Sequence, residues 1–209
     1  MSGDHPHGEQ DHGHGHGHEG SATMASRVAG LVEKLAHKGL VTEEQIDAAI
    51  VTFLAKAGPS NGAALVARAW VDPAFKARLL QDGNAALDEL GLDMSHWARV
   101  TLRAVENTEH VHNVIVCTLC SCYPIALLGP SPSWYKSLAY RARVVRDPRG
   151  VLAEFGVELD PRTEIRVWDS TAELRYVVIP RRPAGTQTWT EDELGAAVTR
   201  DALIGTAVL

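Results

Sequence analysis

Apolar residues recur through the first half of the chain at helical spacing. Val28, Leu31, Val32 and Leu35 fall at i, i+3, i+4 and i+7, which predicts a first amphipathic helix stopped by Gly39. Thr42 and Gln45 carry a capping-box pattern ahead of Ile46, Ala49, Ile50, Phe53 and Leu54, and Gly58-Pro59 ends that second helix. These two helices predict an N-terminal arm. Asn61 is placed as the cap of a third helix through Leu65, Val66, Ala69 and Trp70. Asp72-Pro73 starts a fourth with Phe75, Leu79 and Leu80, and a short fifth runs over 84–90 to Gly91.

Beyond roughly residue 100 the period shortens to two. Val100, Leu102 and Ala104 alternate with Thr101 and Arg103, and 111–116 is a nearly continuous apolar run, as in a buried strand. Pro124, Gly129, Pro130 and Pro132 predict a loop, and Ser131-Pro132 opens a helix carrying Trp134, Tyr135 and Lys136. Asp147-Pro148 caps a helix through Val151, Leu152 and Phe155 that stops at Gly156. Ile165 and Val167 alternate, Asp169-Ser170-Thr171 turns, and Leu174, Tyr176 and Val178 alternate back, which predicts a hairpin. Thr190 and Glu193 cap a last helix with Leu194, Ala197 and Val198, and 204–209 is expected as an extended apolar tail. The fold class is α+β: a helical arm followed by a mixed helix/strand domain in a layered α-β arrangement.

Composition narrows the function. With 209 residues and 45% hydrophobic content the chain buries one substantial core. The balance of 20 basic against 26 acidic side chains, net −6, argues against general nucleic-acid binding. No window approaches ~18 consecutive apolar residues, and the polar N-terminus is unlike a secretory signal, so a cytoplasmic location is expected. Residues 1–20 hold six of the ten histidines, among them His12, His14, His16 and His18 alternating with Gly. Nothing in this tract can be buried, so a disordered tail able to gather cobalt, nickel or zinc is expected; an inert tail is the plainer reading.

All three cysteines lie in Cys117-Thr118-Leu119-Cys120-Ser121-Cys122. The nitrogen and thiolate of Cys122 close a five-membered ring on a metal. The Ser121 and Cys122 amides close a second, and the Cys120 sulfur with the Ser121 nitrogen a six-membered one. These four donors can share a plane, with Cys117 capping it and one octahedral position left open, as a catalytic metal requires. Loss of two amide protons demands a strongly polarising ion, so trivalent cobalt or iron suits the site better than zinc or magnesium. A disulfide is disfavoured by the odd count and the short spacing, and an iron–sulfur cluster usually takes four thiolates. Tetrahedral zinc with His110 or His112 as fourth ligand stays open at this point, although a structural role suits those histidines better. Arg141, Arg143, Arg146 and Arg149 cluster downstream, and a salt-bridged interface is the favoured reading of them.

The run 116–124, Val-Cys-Thr-Leu-Cys-Ser-Cys-Tyr-Pro, resembles the metal-binding segment of the nitrile hydratase alpha subunit, and equally that of the thiocyanate hydrolase gamma subunit. The resemblance extends over 26–206 and includes Asn61-Gly62-Ala63, Ala69-Trp70-Val71-Asp72-Pro73, Glu106-Asn107-Thr108, Trp134-Tyr135-Lys136 and Arg182-Pro183-Ala184-Gly185-Thr186. It implies Cys117 as axial thiolate, Cys120 as sulfinate and Cys122 as sulfenate, with Cys122 and Cys120 catalytic. The amides of Ser121 and Cys122 complete the ligand set. Thr118 after the first cysteine resembles the cobalt-type enzymes, which makes Co(III) the expected cofactor, one per chain, ahead of Fe(III). The implied activity is hydration of a small nitrile to an amide, in a hetero-oligomer whose beta-type subunit supplies arginines to the oxidised sulfurs, with a metal-loading activator. Implied boundaries are a tail over 1–25, an arm over 26–58 that reaches across the partner, and a metal-binding catalytic domain over 59–209.

Two departures from the family pattern stand out. Ile125 and Ala126 stand where a tryptophan and a proline usually line the substrate pocket, and Ala98 where many members carry a glutamine. Both bear on the substrate and leave the metal ligands untouched. A thiocyanate hydrolase gamma-type subunit and a non-catalytic metal-handling relative are the rival readings.

Overall fold

The computed structural model describes residues 19–92, 100–120 and 122–209. The histidine tract, Ala98 and Ser121 therefore lie outside the described residues. Two units separate at Thr52/Phe53. In the first, α1 (Glu19–His37) ends before Gly39, whose φ of 65° is the left-handed turn that lets the chain leave a helix. The capping box of α2 (Glu43–Lys56) forms as expected, with the Thr42 amide donating to Gln45 Oε1 at 2.9 Å and the Gln45 amide to Thr42 Oγ1 at 3.2 Å. Met24, Val28, Leu31, Ile50 and Val51 are exposed.

The second unit is built around α3 (Pro59–Val71), which buries Gly62, Ala63, Leu65, Val66, Ala67 and Ala69. Pro59 occupies its first turn and Gly58 is the cap, so Asn61 is not the cap. Its side chain instead donates to the Lys56 and Ala126 carbonyls at 2.7 and 2.8 Å, tying α3 to the segment after the cysteines. At Gly62 a Cβ would meet Leu203 Cδ1 at 2.7 Å and the Leu127 carbonyl at 2.8 Å, so only glycine allows that approach. Asp72 caps α4 (Pro73–Gln81) through the Phe75 amide, and Asp82 caps α5 (Gly83–Glu89).

Strands β1 (Thr101–Glu106), β2 (Val111–Val116), β3 (Glu164–Asp169) and β4 (Leu174–Ile179) form two parallel pairs, β1 with β4 and β2 with β3. The expected β3–β4 hairpin does not form. The Ser170 amide donates to the Val116 carbonyl at 2.7 Å while the Thr101 amide donates to the Glu173 carbonyl at 2.7 Å, so the two ends of the short link are claimed by different strands. Between β2 and β3, α6 (Ile125–Leu128) makes one turn where a loop is expected. A 3-10 turn (Ser133–Lys136) follows, then α7 (Leu138–Val144) and α8 (Pro148–Glu154). After α9 (Glu191–Ala197) an unexpected α10 (Arg200–Ile204), capped by Thr199 and ended by Gly205 at φ 91°, takes in Ile204 at the start of the expected tail, and only the last residues run on without a helix. Among the described residues no helix is long and apolar enough to cross a membrane.

Candidate metal centre

Strand β2 delivers the cysteines. Val114, Ile115 and Val116 are fully buried, and Cys117 follows at 1% exposure, so packing fixes the root of the segment. The chain then turns outward: Cys120 is exposed, Cys122 half-buried, and Leu119 91% exposed. The three sulfurs converge within 4.8 Å, with Cys117 Sγ 3.2 Å from Cys120 Sγ and Cys120 Sγ 3.0 Å from Cys122 Sγ. The Cys120 amide also donates to Cys117 Sγ at 3.3 Å.

These distances test the metal. With metal–sulfur bonds of roughly 2.3 Å, adjacent sulfurs of an octahedron lie about 3.3 Å apart and those of a tetrahedron about 3.8 Å apart. The observed 3.2 and 3.0 Å lie nearer the first value. Neither His110 nor His112 joins the cluster. His112 is buried, with Nε2 2.7 Å from the Gly205 carbonyl and Nδ1 3.3 Å from Asn107 Nδ2, so both ring nitrogens are engaged in the core. Burial holds it neutral by pushing its pKa down, against the opposing bond to Gly205. The tetrahedral zinc reading loses His110 and His112 as its fourth ligand.

Burial, then the bond with Cys120, pushes the Cys122 thiol up to about 12, with Arg175 pulling the other way. Three sulfurs this close cannot all be anions without a cation among them, which a metal supplies.

The supports of the segment come from distant parts of the chain. Asp169, at the end of β3, accepts from the Thr118 amide at 2.9 Å and from the Thr118 hydroxyl at 2.5 Å. Tyr135, fully buried, donates its hydroxyl to the Cys122 carbonyl at 3.0 Å, and Tyr140 donates to the Ile115 carbonyl at 2.8 Å. Trp134 packs edge-on against Tyr140 with centroids 4.9 Å apart. Arg141 Nη1 donates to the Cys120 carbonyl at 2.7 Å. Sequence reading placed Asp169 in a turn and Arg141 in a general arginine cluster; no local pattern marks either as a neighbour of the cysteines. Within that cluster Arg143 pairs with Glu154, and Arg149 donates to the Leu159, Asp160, Pro161 and Thr163 carbonyls, so it braces this chain itself. A cleft of about 1170 Å³ lies elsewhere, between the 107–110 turn, 158–163 and the C-terminal residues, and none of the cysteines lines it.

Known proteins are similar to this chain in sequence and fold. The family model described as "Nitrile hydratase, alpha chain" matches residues 22–207. The low-molecular weight cobalt-containing nitrile hydratase subunit alpha of Rhodococcus rhodochrous is 54% identical over 88% of both chains, and the cobalt-containing subunit alpha of Pseudonocardia thermophila is 48% identical over 87% of this chain and 89% of its own. Thiocyanate hydrolase subunit gamma of Thiobacillus thioparus is 47% identical over 72% of this chain and 66% of its own. Among solved structures, a double mutant of the Fe-type nitrile hydratase from Comamonas testosteroni Ni1 superposes with a TM-score of 0.84 at 44% identity, covering 90% of this chain and 91% of that one. A recombinant thiocyanate hydrolase with partially modified cobalt centres gives 0.78 at 42%, covering 92% and 90%. The chain belongs to the nitrile hydratase alpha-chain family, whose nitrile hydratases hydrate nitriles to amides and pair each alpha subunit with a beta subunit.

Proposed function

We propose that this chain is the alpha-type subunit of a cobalt nitrile hydratase, with a low-spin Co(III) held by Cys117, Cys120, Cys122 and the amides of Ser121 and Cys122. The observation that carries it is the convergence of the three sulfurs at 3.2 and 3.0 Å on an outward-facing segment. Thr118 and the cobalt-containing relatives support cobalt over iron. Bound there, the ion would supply Lewis acidity.

The chain's own residues do the rest. Cys117, packed at the end of β2, would hold the ion from the core side. Cys122, as sulfenate, presents an oxygen that acts as nucleophile or as base toward water, and Cys120, as sulfinate, tunes the centre. The polar backbone grips of Asp169 and Tyr135 keep these groups in place. The exposed Leu119 and Cys120 face outward, where the beta subunit covers them and its arginines pair the sulfur oxygens. Residues 26–58 serve as the arm that clasps that partner, 59–209 as the catalytic domain, and a metal-loading activator assists.

The thiocyanate hydrolase reading has a relative of its own at 47% identity. Ile125, half-buried just after the cysteines, favours a nitrile: an aliphatic wall suits a neutral substrate and gives an anion no partner. Mass spectrometry of the protein purified with its partner tests the centre. One cobalt per chain and three added oxygens, about two of them on Cys120, are expected. Zinc with three unmodified thiols would overturn it, and turnover of thiocyanate with none of nitriles would replace the substrate.

A further inference from the structure

We propose that Arg141 is a positioning residue of the metal claw, gripping the Cys120 carbonyl and offsetting the negative charge of the ligand set. The inference rests on the cobalt reading above. Three thiolate-derived sulfurs and two amide nitrogens bring five negative charges to a trivalent ion, so the loaded claw is two charges negative. A charge of that size at a half-buried site needs a cation held close.

Arg141 is placed for this. It sits on α7, whose start is fixed by Ser137 accepting from the Tyr140 amide at 3.1 Å and whose Tyr140 is bound to the strand that carries Cys117. Its Nη1 lies 2.7 Å from the Cys120 carbonyl oxygen. That oxygen belongs to the peptide whose nitrogen is Ser121's, one of the two amide ligands. A peptide is conjugated, so a cationic donor on its oxygen stabilises negative charge shared between that oxygen and the nitrogen. Arg143 and Arg166 pair with carboxylates, whereas among the described ion pairs none involves Arg141, and its Nε is buried without a hydrogen-bond partner. Its charge is thus left to act on the claw. The partner's arginines act on the sulfur oxygens; Arg141 acts on the backbone from within this chain.

The test compares Arg141→Lys, which keeps the charge but loses the planar fork, with Arg141→Gln, which loses the charge. Each is co-expressed with the partner subunit and checked for assembly. Cobalt per chain, the rate of cobalt loss to a chelator, and the sulfur-to-cobalt charge-transfer band are then measured. We expect cobalt loss about tenfold faster in Arg141→Gln and a few-fold faster in Arg141→Lys, with the band shifted most in Arg141→Gln. Wild-type release rate and band in both variants would overturn the proposal. Should Arg141→Gln not assemble, unchanged release in Arg141→Lys overturns it alone. A wild-type protein holding zinc and unmodified thiols would sink the cobalt reading instead, a result separable from normal cobalt with indifferent variants.

Discussion

One carboxylate, that of Asp169, takes both donors of Thr118, its amide at 2.9 Å and its hydroxyl at 2.5 Å, across 51 residues of sequence. The pairing is possible because β3 runs parallel to β2 with Asp169 in register with Val116, the residue before Cys117. Asp169→Ala leaves two donors without their acceptor beside the first cysteine. Loss of about 10–100-fold in cobalt occupancy or kcat is expected, while Thr118→Ser, which keeps both donors, stays within about twofold. Metal analysis with steady-state kinetics checks both, and full cobalt with normal turnover in Asp169→Ala would count against the clamp.

Replacing Cys120 or Cys122 by serine removes a soft anionic ligand that oxidation must modify. Activity is expected to fall below detection in either variant, with partner assembly retained. Normal turnover in a correctly metallated variant would refute the proposed site.

Ile125 is smaller than the tryptophan usual at its position, so if it lines the substrate pocket, as the family resemblance implies, it leaves more room there. Ile125→Trp is expected to lower kcat/KM for branched or aromatic nitriles about tenfold relative to a small aliphatic one, on the scale of a few methylene groups of pocket volume. Equal effects on small and large substrates would show that this side chain does not line the pocket.

His112 gives the fold a pH dependence of definite sign. Its folded pKa is depressed by burial, so it stays neutral in the fold but takes up a proton in the unfolded chain below about pH 6.5. The penalty is absent above that pH and grows as pH falls toward the depressed folded value. Melting temperature followed from pH 8 to 5 should drop more steeply in wild type than in His112→Gln. Parallel slopes would remove His112 as the cause.

Gly205 packs where a side chain has no room: a Cβ would collide with the Asn113 carbonyl, and its φ of 91° lies in the left-handed region. Gly205→Ala is expected to destabilise the second unit by more than about 1 kcal/mol, a fall of about 2–4 °C or more in Tm. An unchanged Tm would mean that the Asn113 backbone yields.

Local chemistry determined much of this protein. Capping residues such as Thr42, Asp72, Asp147 and Thr190 set helix starts, because a side-chain oxygen satisfying orphan amides depends only on residues two or three places away. The cysteine cluster was legible for the same reason: its three sulfurs lie within six residues of sequence. Asn61 misled because two carbonyls brought near in space outbid the local cap position. The strand pairing that breaks the expected hairpin, and with it the arrival of Asp169 at Thr118, of Tyr135 at Cys122 and of Arg141 at Cys120, was decided by the tertiary structure alone. Alternation marks a strand and its buried face, but it carries no term for which neighbour that strand will choose.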